Sequence, residues 1–189
     1  MSLSNWSSTN SLTSKSSYLP TTEEAILTAS DKAQSDSFSW SVSISGDGSR
    51  VAVGAYAADP SGIVNAGKAY IFTRSGTTWT QQSELIPIDL ANGDSFGYSV
   101  TVSNDGSIVM VGSPNSDPAG ISSSGSAYIF TKPASNWEQQ IKLTASNKAN
   151  QDKFGSSVAL AGNGGSAVIS APYADPGSVT DSGSIYTFV

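Results

Sequence analysis

The sequence predicts an all-β fold, a β-propeller of four-stranded antiparallel blades, and three observations carry that expectation. A 58-residue unit recurs three times without insertion or deletion. Each unit holds short runs of strand character separated by turn residues. The middle runs are apolar on both faces, as strands pressed between neighbouring sheets are. A β-solenoid or a sandwich is the competing architecture, but sandwich strands do not keep a constant spacing.

The period is read from several residue types at once. Phe38, Phe96 and Phe154 share it, as do Tyr70, Tyr128 and Tyr186, and Phe72, Phe130 and Phe188. Asp59, Asp117 and Asp175 keep it, each followed by proline. Within one unit, strand A is "FGYSVTVS", in which Phe96, Tyr98, Val100 and Val102 alternate with small residues. Asn104-Asp105-Gly106 makes a tight turn into strand B, "SIVMVGSP". A Ser/Gly/Pro-rich loop leads to strand C, "SAYIFT", and a short turn leads to strand D, "WEQQIKLTA", whose one face is wetter. Polarity rises from B to D, which places D on the outer rim and the small-residue strand A on the inside.

Residues 1–22 read as a Ser-rich leader, and residues 23–189 as three blades, with repeats starting near 36, 94 and 152. "AILTAS" at Ala25–Ser30 matches "IKLTAS", so a lone strand D is expected at 25–29, and the last blade lacks its own. That makes twelve strands, or three blades with one split between the ends. A propeller closes with roughly four to eight blades. Two copies closing a six-bladed ring by strand exchange is therefore the expected homodimer, and membership of a longer propeller chain is the alternative.

"FG" at Phe96-Gly97 and Phe154-Gly155, with "GSP" at Gly112–Pro114 and "SAP" at Ser170–Pro172, resembles the FG-GAP repeat that builds integrin α-chain propellers. The first unit departs from the pattern, with Ser39 for the glycine and Tyr56 for the proline. The resemblance implies an extracellular or cell-surface recognition, adhesion or assembly module rather than a catalyst.

Composition narrows function in the same direction. The 189-residue chain has no Cys and no His, which removes disulfides, thiolate sites, Ser-His-Asp triads and imidazole metal sites. A net charge of −6 without a cluster of Lys or Arg argues against nucleic acid and anionic membrane surfaces. No apolar run reaches the length of a membrane span, so no membrane insertion is expected. The acidic residues recur in every unit, whereas a catalytic pair is normally unique in its fold, so no enzyme activity is expected.

Two ends of the blades offer candidate sites. At the A–B turns, Asp47, Asn104, Asp105 and Asn163 are the candidate calcium ligands, although each turn offers at most one carboxylate and calcium wants six to eight oxygens. A plain hairpin turn explains the same residues, and no cofactor is otherwise expected. At the opposite end, the B–C and D–A loops emerge together. They carry Tyr56, Asp59, Asp117, Tyr173 and Asp175, with Asp36, Asp94 and Asp152. A ring of carboxylates and tyrosines there suits a protein or glycan ligand, and a carbohydrate-binding lectin or a purely structural oligomerisation module are the alternatives. Asp-Pro turns and Asp-closed bends are the structural explanation of the same residues.

Overall fold

The computed structural model describes residues 22–189, so the Ser-rich leader, apart from its last residue, lies outside the described residues. The fold is all-β, with no α-helix among the described residues. The first sheet is β1 (Ser41–Ile44), β2 (Arg50–Ala55), β3 (Lys68–Ser75) and β4 (Thr78–Leu85). The second is β5 (Ser99–Val102), β6 (Ile108–Ser113), β7 (Ser126–Thr131) and β8 (Glu138–Leu143). The third is β9 (Val158–Leu160), β10 (Ala167–Ala171) and β11 (Ser184–Phe188). Each sheet is an antiparallel meander in chain order, so each strand pairs with the next.

The repeat persists down to irregularities. Register shifts between Ile71 and Phe72 where β3 meets β4, and between Ile129 and Phe130 where β7 meets β8. A bulge at the same repeat position twists the outer strand in the same way each time. The three sheets stack face to face, with β1, β5 and β9 neighbours along one side. Between the first two sheets, Ala52, Ala69, Ile71 and Leu85 meet Phe96, Val100, Val102, Val109 and Val111. Between the second and third, Met110 and Ala127 meet Phe154, Val158, Ala167 and Ile169. Small residues on one face receive large ones from the next, which is how layers interdigitate at crystal-like density.

The phenylalanine that marks each repeat does not begin strand A as expected. Strand pairing starts three residues later, at Ser99. Phe96 instead makes a parallel bridge to Gly67 of the preceding sheet, and Phe154 does the same to Gly125. The ring is fully buried, edge-on to Tyr128 at 5.6 Å and Phe130 at 5.9 Å. Phe154 meets Tyr186 and Phe188 in the same way, and Phe38 meets Tyr70 and Phe72. Edge-to-face contact satisfies the ring quadrupoles, so Phe, Tyr and Phe recur together.

Glycine sets how closely sheets approach. Gly97 holds φ +90, and a Cβ there would overlap the Lys68 carbonyl oxygen of the first sheet. A Cβ on Gly54 would overlap the Gly97 carbonyl in turn. Gly155 and Gly112 repeat this relation between the second and third sheets. Backbone therefore packs on backbone at both internal junctions.

Residues 25–29, expected as a strand, form no ladder among the described residues. The segment nevertheless lies against the first sheet as strand D of one sheet lies against the next. Ser30 N–H donates to Gln81 Oε1 at 2.9 Å, matching Ile88 N–H to Gln139 Oε1 at 3.1 Å. Trp79 Nε1 donates to Glu24, matching Trp137 Nε1 to Gln82. Leu27 and Ala29 pack beside Tyr70 and Phe72. What is missing is a strand C alongside it, and a lone segment has no backbone partner to make it a strand.

Candidate functional site

Every expected acidic residue at the loop-bearing end has a backbone partner. Asp59 Oδ1 accepts from Asn65 N–H at 2.6 Å, Asp117 Oδ1 from Ser123 N–H at 2.6 Å, and Asp175 Oδ1 from Asp181 N–H at 2.7 Å. Each bond spans a 3₁₀ turn that opens with the adjacent proline, at Pro60–Gly62, Pro118–Gly120 and Pro176–Ser178. Asp36, Asp94 and Asp152 each accept the N–H three residues upstream, from Ala33, Ala91 and Ala149. Such bonds let the chain bend without losing a donor. Asp94 and Asp152 are buried, while Asp59, Asp117 and Asp175 are exposed. Burial pushes the Asp94 carboxyl up, against the pull of the Ala91 N–H and the Lys142 charge. Among the described residues, no three carboxylates converge closely enough to hold a metal ion.

The tyrosines at this end differ from one another. Tyr173 is exposed. Tyr56 joins two residues absent from the expected set. Trp40, Tyr56 and Tyr98 stand in mutual contact, with ring centroids 4.8 Å apart for Trp40–Tyr56, 5.7 Å for Trp40–Tyr98 and 5.6 Å for Tyr56–Tyr98. Trp40 leads into β1, Tyr56 follows β2 and Tyr98 leads into β5, so the cluster bridges two sheets beside their inner strands. Trp40 is 54% exposed, and both tyrosines are half-buried. Three aromatic faces held by rigid strands form a platform onto which a flat apolar surface can stack. The cluster breaks the repeat. Tyr56 is replaced by Pro114 and Pro172 in the other units, and Trp40 and Tyr98 by Ser156 in the third. Looking for aromatic residues that violate the period would have found it.

At the other junction the same end carries a polar chain. Lys153 Nζ donates to Asn115 Oδ1 at 2.7 Å, and Asn115 Nδ2 donates to Ser95 Oγ at 2.8 Å. The two junctions thus present different chemistry on one scaffold.

The A–B turns at the opposite end are closed on themselves. Asp105 accepts from Ser103 Oγ at 2.6 Å, Ser107 N–H at 3.0 Å and Ser107 Oγ at 2.7 Å. Asp47 accepts from Ser45 and Ser49 in the same pattern. The serine hydroxyls, helped by the backbone donor, lower both carboxyls to about 2. Asn163 accepts Gly165 N–H at 3.0 Å in the third turn. Successive turns are also joined: Gly46 N–H donates to the Asn104 carbonyl, and Asn104 N–H to the Gly162 carbonyl, both at 2.8 Å.

No helix among the described residues is long and apolar enough to cross a membrane. The family model for the FG-GAP repeat matches residues 21–72, 79–130 and 137–188. Each match begins at the strand D position, so the first takes in the unpaired segment at 25–29. No curated protein matches the chain.

Proposed function

The chain belongs to the FG-GAP repeat family, and from that premise we propose that it is a non-catalytic recognition module acting outside the cell or on its surface. FG-GAP repeats point to a propeller-type binding and adhesion unit. The observation that carries the reading here is the exposed cluster of Trp40, Tyr56 and Tyr98. The Phe, Tyr and Phe that pack edge-to-face within each sheet recur in all three units, whereas this cluster occurs once and leaves Trp40 54% exposed. Binding residues sit on loops and strand ends held by a rigid scaffold, and these three do.

The same cluster favours a carbohydrate as the ligand. A sugar ring presents a flat face of C–H groups to an aromatic ring, and Asp59, three residues after Tyr56 in the same loop, is the carboxylate offered to its hydroxyls. That carboxylate uses one oxygen in holding its loop and keeps the second. A glycan array probed with the wild-type chain and with Trp40→Ala tests this. Binding weakened by about tenfold or more in the variant, the loss of roughly one stacking contact of over 1 kcal/mol, supports the proposal. Binding that survives the substitution, or no binding to any glycan, removes the carbohydrate reading. A protein ligand then has to be sought with the same variant.

A further inference from the structure

We propose that a second copy of this chain docks on the free face of the third sheet, adding its residues 23–27 to β11 as the missing fourth strand, so that two copies close a ring of six sheets. Four features of the two outer faces support it.

The first is a socket. Phe96-Gly97 of the second sheet enters a recess on the first formed by Gly54, Ala55, Gly67 and Lys68. The third sheet presents the same recess, lined by Ser170, Pro172, Gly183, Ser184 and Ile185, as an open cavity of about 500 Å³. The matching plug, Phe38-Ser39, stands on the outer face of the first sheet, where Phe38 is half-buried.

The second is exposed apolar surface at repeat positions that are buried inside. Val100 and Val102 are each 8% exposed, while their counterparts Val42 and Ile44 are 64% and 59% exposed. Met110 and Ala127 are fully buried, while Val168 and Ile185 are 40% and 71% exposed. Beside the free edge of β11 lies an apolar cleft of about 230 Å³, lined by Ile141, Leu143, Leu160, Phe188 and Val189. Faces of this kind are driven together by the burial they gain.

The third is the pairing register. β7 pairs Ala127 with Leu143, Tyr128 with Lys142 and Ile129 with Ile141, then shifts to Phe130 with Gln139. Carried on by the repeat, Ile185 pairs with Leu27 of the second copy, Tyr186 with Ile26, Thr187 with Ala25 and Phe188 with Glu23. The segment already holds its place on the first sheet and lacks only this ladder.

The fourth is a set of seam bonds. At the internal junctions, Gly93, Ser95 and Phe96 donate N–H groups to the carbonyls of Val64, Asn65 and Ala66. Gln151, Lys153 and Phe154 donate to Ser122, Ser123 and Ser124 in the same way. The next in the series are Ser35, Ser37 and Phe38, which make no backbone hydrogen bond through these N–H groups among the described residues. Thr180, Asp181 and Ser182 of the other copy are their acceptors.

The closing junction differs in one respect. The close-approach glycines Gly97/Gly155 and Gly54/Gly112 are replaced at the outer faces by Ser39 and Ser170. The inner strands at this junction are therefore held further apart than inside the chain, while the outer ladder pairs in register. Glycine at both positions would let the junction tighten.

Sedimentation of the 189-residue chain over a range of concentrations tests the proposal. The expected result is a mass twice the 19.4 kDa of one chain. Ile185→Lys and Val42→Lys alter exposed side chains of the isolated chain, so its β-sheet circular dichroism should persist while each weakens association by about ten- to a hundredfold. Ser39→Gly with Ser170→Gly should strengthen association. A single-chain mass at every concentration, a mass that grows without limit, or a dimer indifferent to both lysine substitutions would overturn the proposal.

Discussion

Gly112→Ala isolates the role of glycine in sheet spacing. Gly112 is not in the left-handed region, so alanine adds no backbone strain there. Its new Cβ would instead overlap the Gly155 carbonyl and the Ser99 Oγ, and Ser99 Oγ already donates to that carbonyl at 2.8 Å. The obstacle is backbone, tied by the Gly155 N–H to the Ser170 carbonyl at 3.0 Å, so it cannot swing away as the tip of a long side chain can. Overpacking costs about 1–3 kcal/mol, and a rigid obstacle places this case near about 3 kcal/mol. For a chain of this size each kcal/mol lowers the melting temperature by about 2–4 °C, so the expected fall is roughly 6–12 °C. Gly120→Ala is the contrasting substitution. It has φ +75 and nothing within 4 Å of a Cβ, so only strain of about 1–2 kcal/mol applies. Calorimetry and urea unfolding of both variants measure the difference. If Gly112→Ala unfolds at the wild-type midpoint, or costs no more than Gly120→Ala, backbone contact does not set the spacing between sheets.

Two further outcomes concern protons. Asp47 and Asp105 are held down to about 2 by serine hydroxyls and a backbone donor, so their support of the turns is complete above the ordinary aspartate value of about 4 and is lost as pH falls through about 2. Carboxyl carbon NMR should give midpoints near 2 for both, and a midpoint at the ordinary value would refute the hydrogen-bonded turn. Burial pushes the phenols of Tyr70 and Tyr128 up, and Asp31 adds to this at Tyr70, whose hydroxyl donates to Asp31 Oδ1 at 3.0 Å. Their neutral forms favour the folded state fully below about pH 10, and that support is lost as pH rises beyond it. Absorbance at high pH should show two tyrosines that ionise only when the chain unfolds. Ionisation of both in the folded chain would refute their burial.

Much of the fold is legible because the repeat is undisturbed. Period-two alternation marked Val100 and Val102, and double-faced apolarity marked β6 and β7, because those patterns are consequences of local pleat geometry. Phe96 misled because its alternation with Tyr98 and Val100 mimics a strand, whereas the residue docks on the preceding sheet. The segment at 25–29 has the composition of β8 but no partner, and pairing is not a local property. Asp59, Asp94 and their repeats were legible as a group at one end. Which of their oxygens hold loops depends on bonds such as that of Asp117 to Ser123. Tyr98 reads only as part of the strand A face, and Trp40 holds the same position one repeat earlier, so nothing in the local pattern sets either beside Tyr56.

By itself the amino-acid order determined the period, the four-strand unit, its turns and the family, since all follow from short-range spacing and residue type. Only the tertiary structure decided where one sheet meets the next. It brought Trp40, Tyr56 and Tyr98 into one cluster and set Gly54 and Gly112 against the Gly97 and Gly155 carbonyls of the next sheet. Those features depend on which backbones and side chains approach across the sheets, and no local pattern encodes that distance.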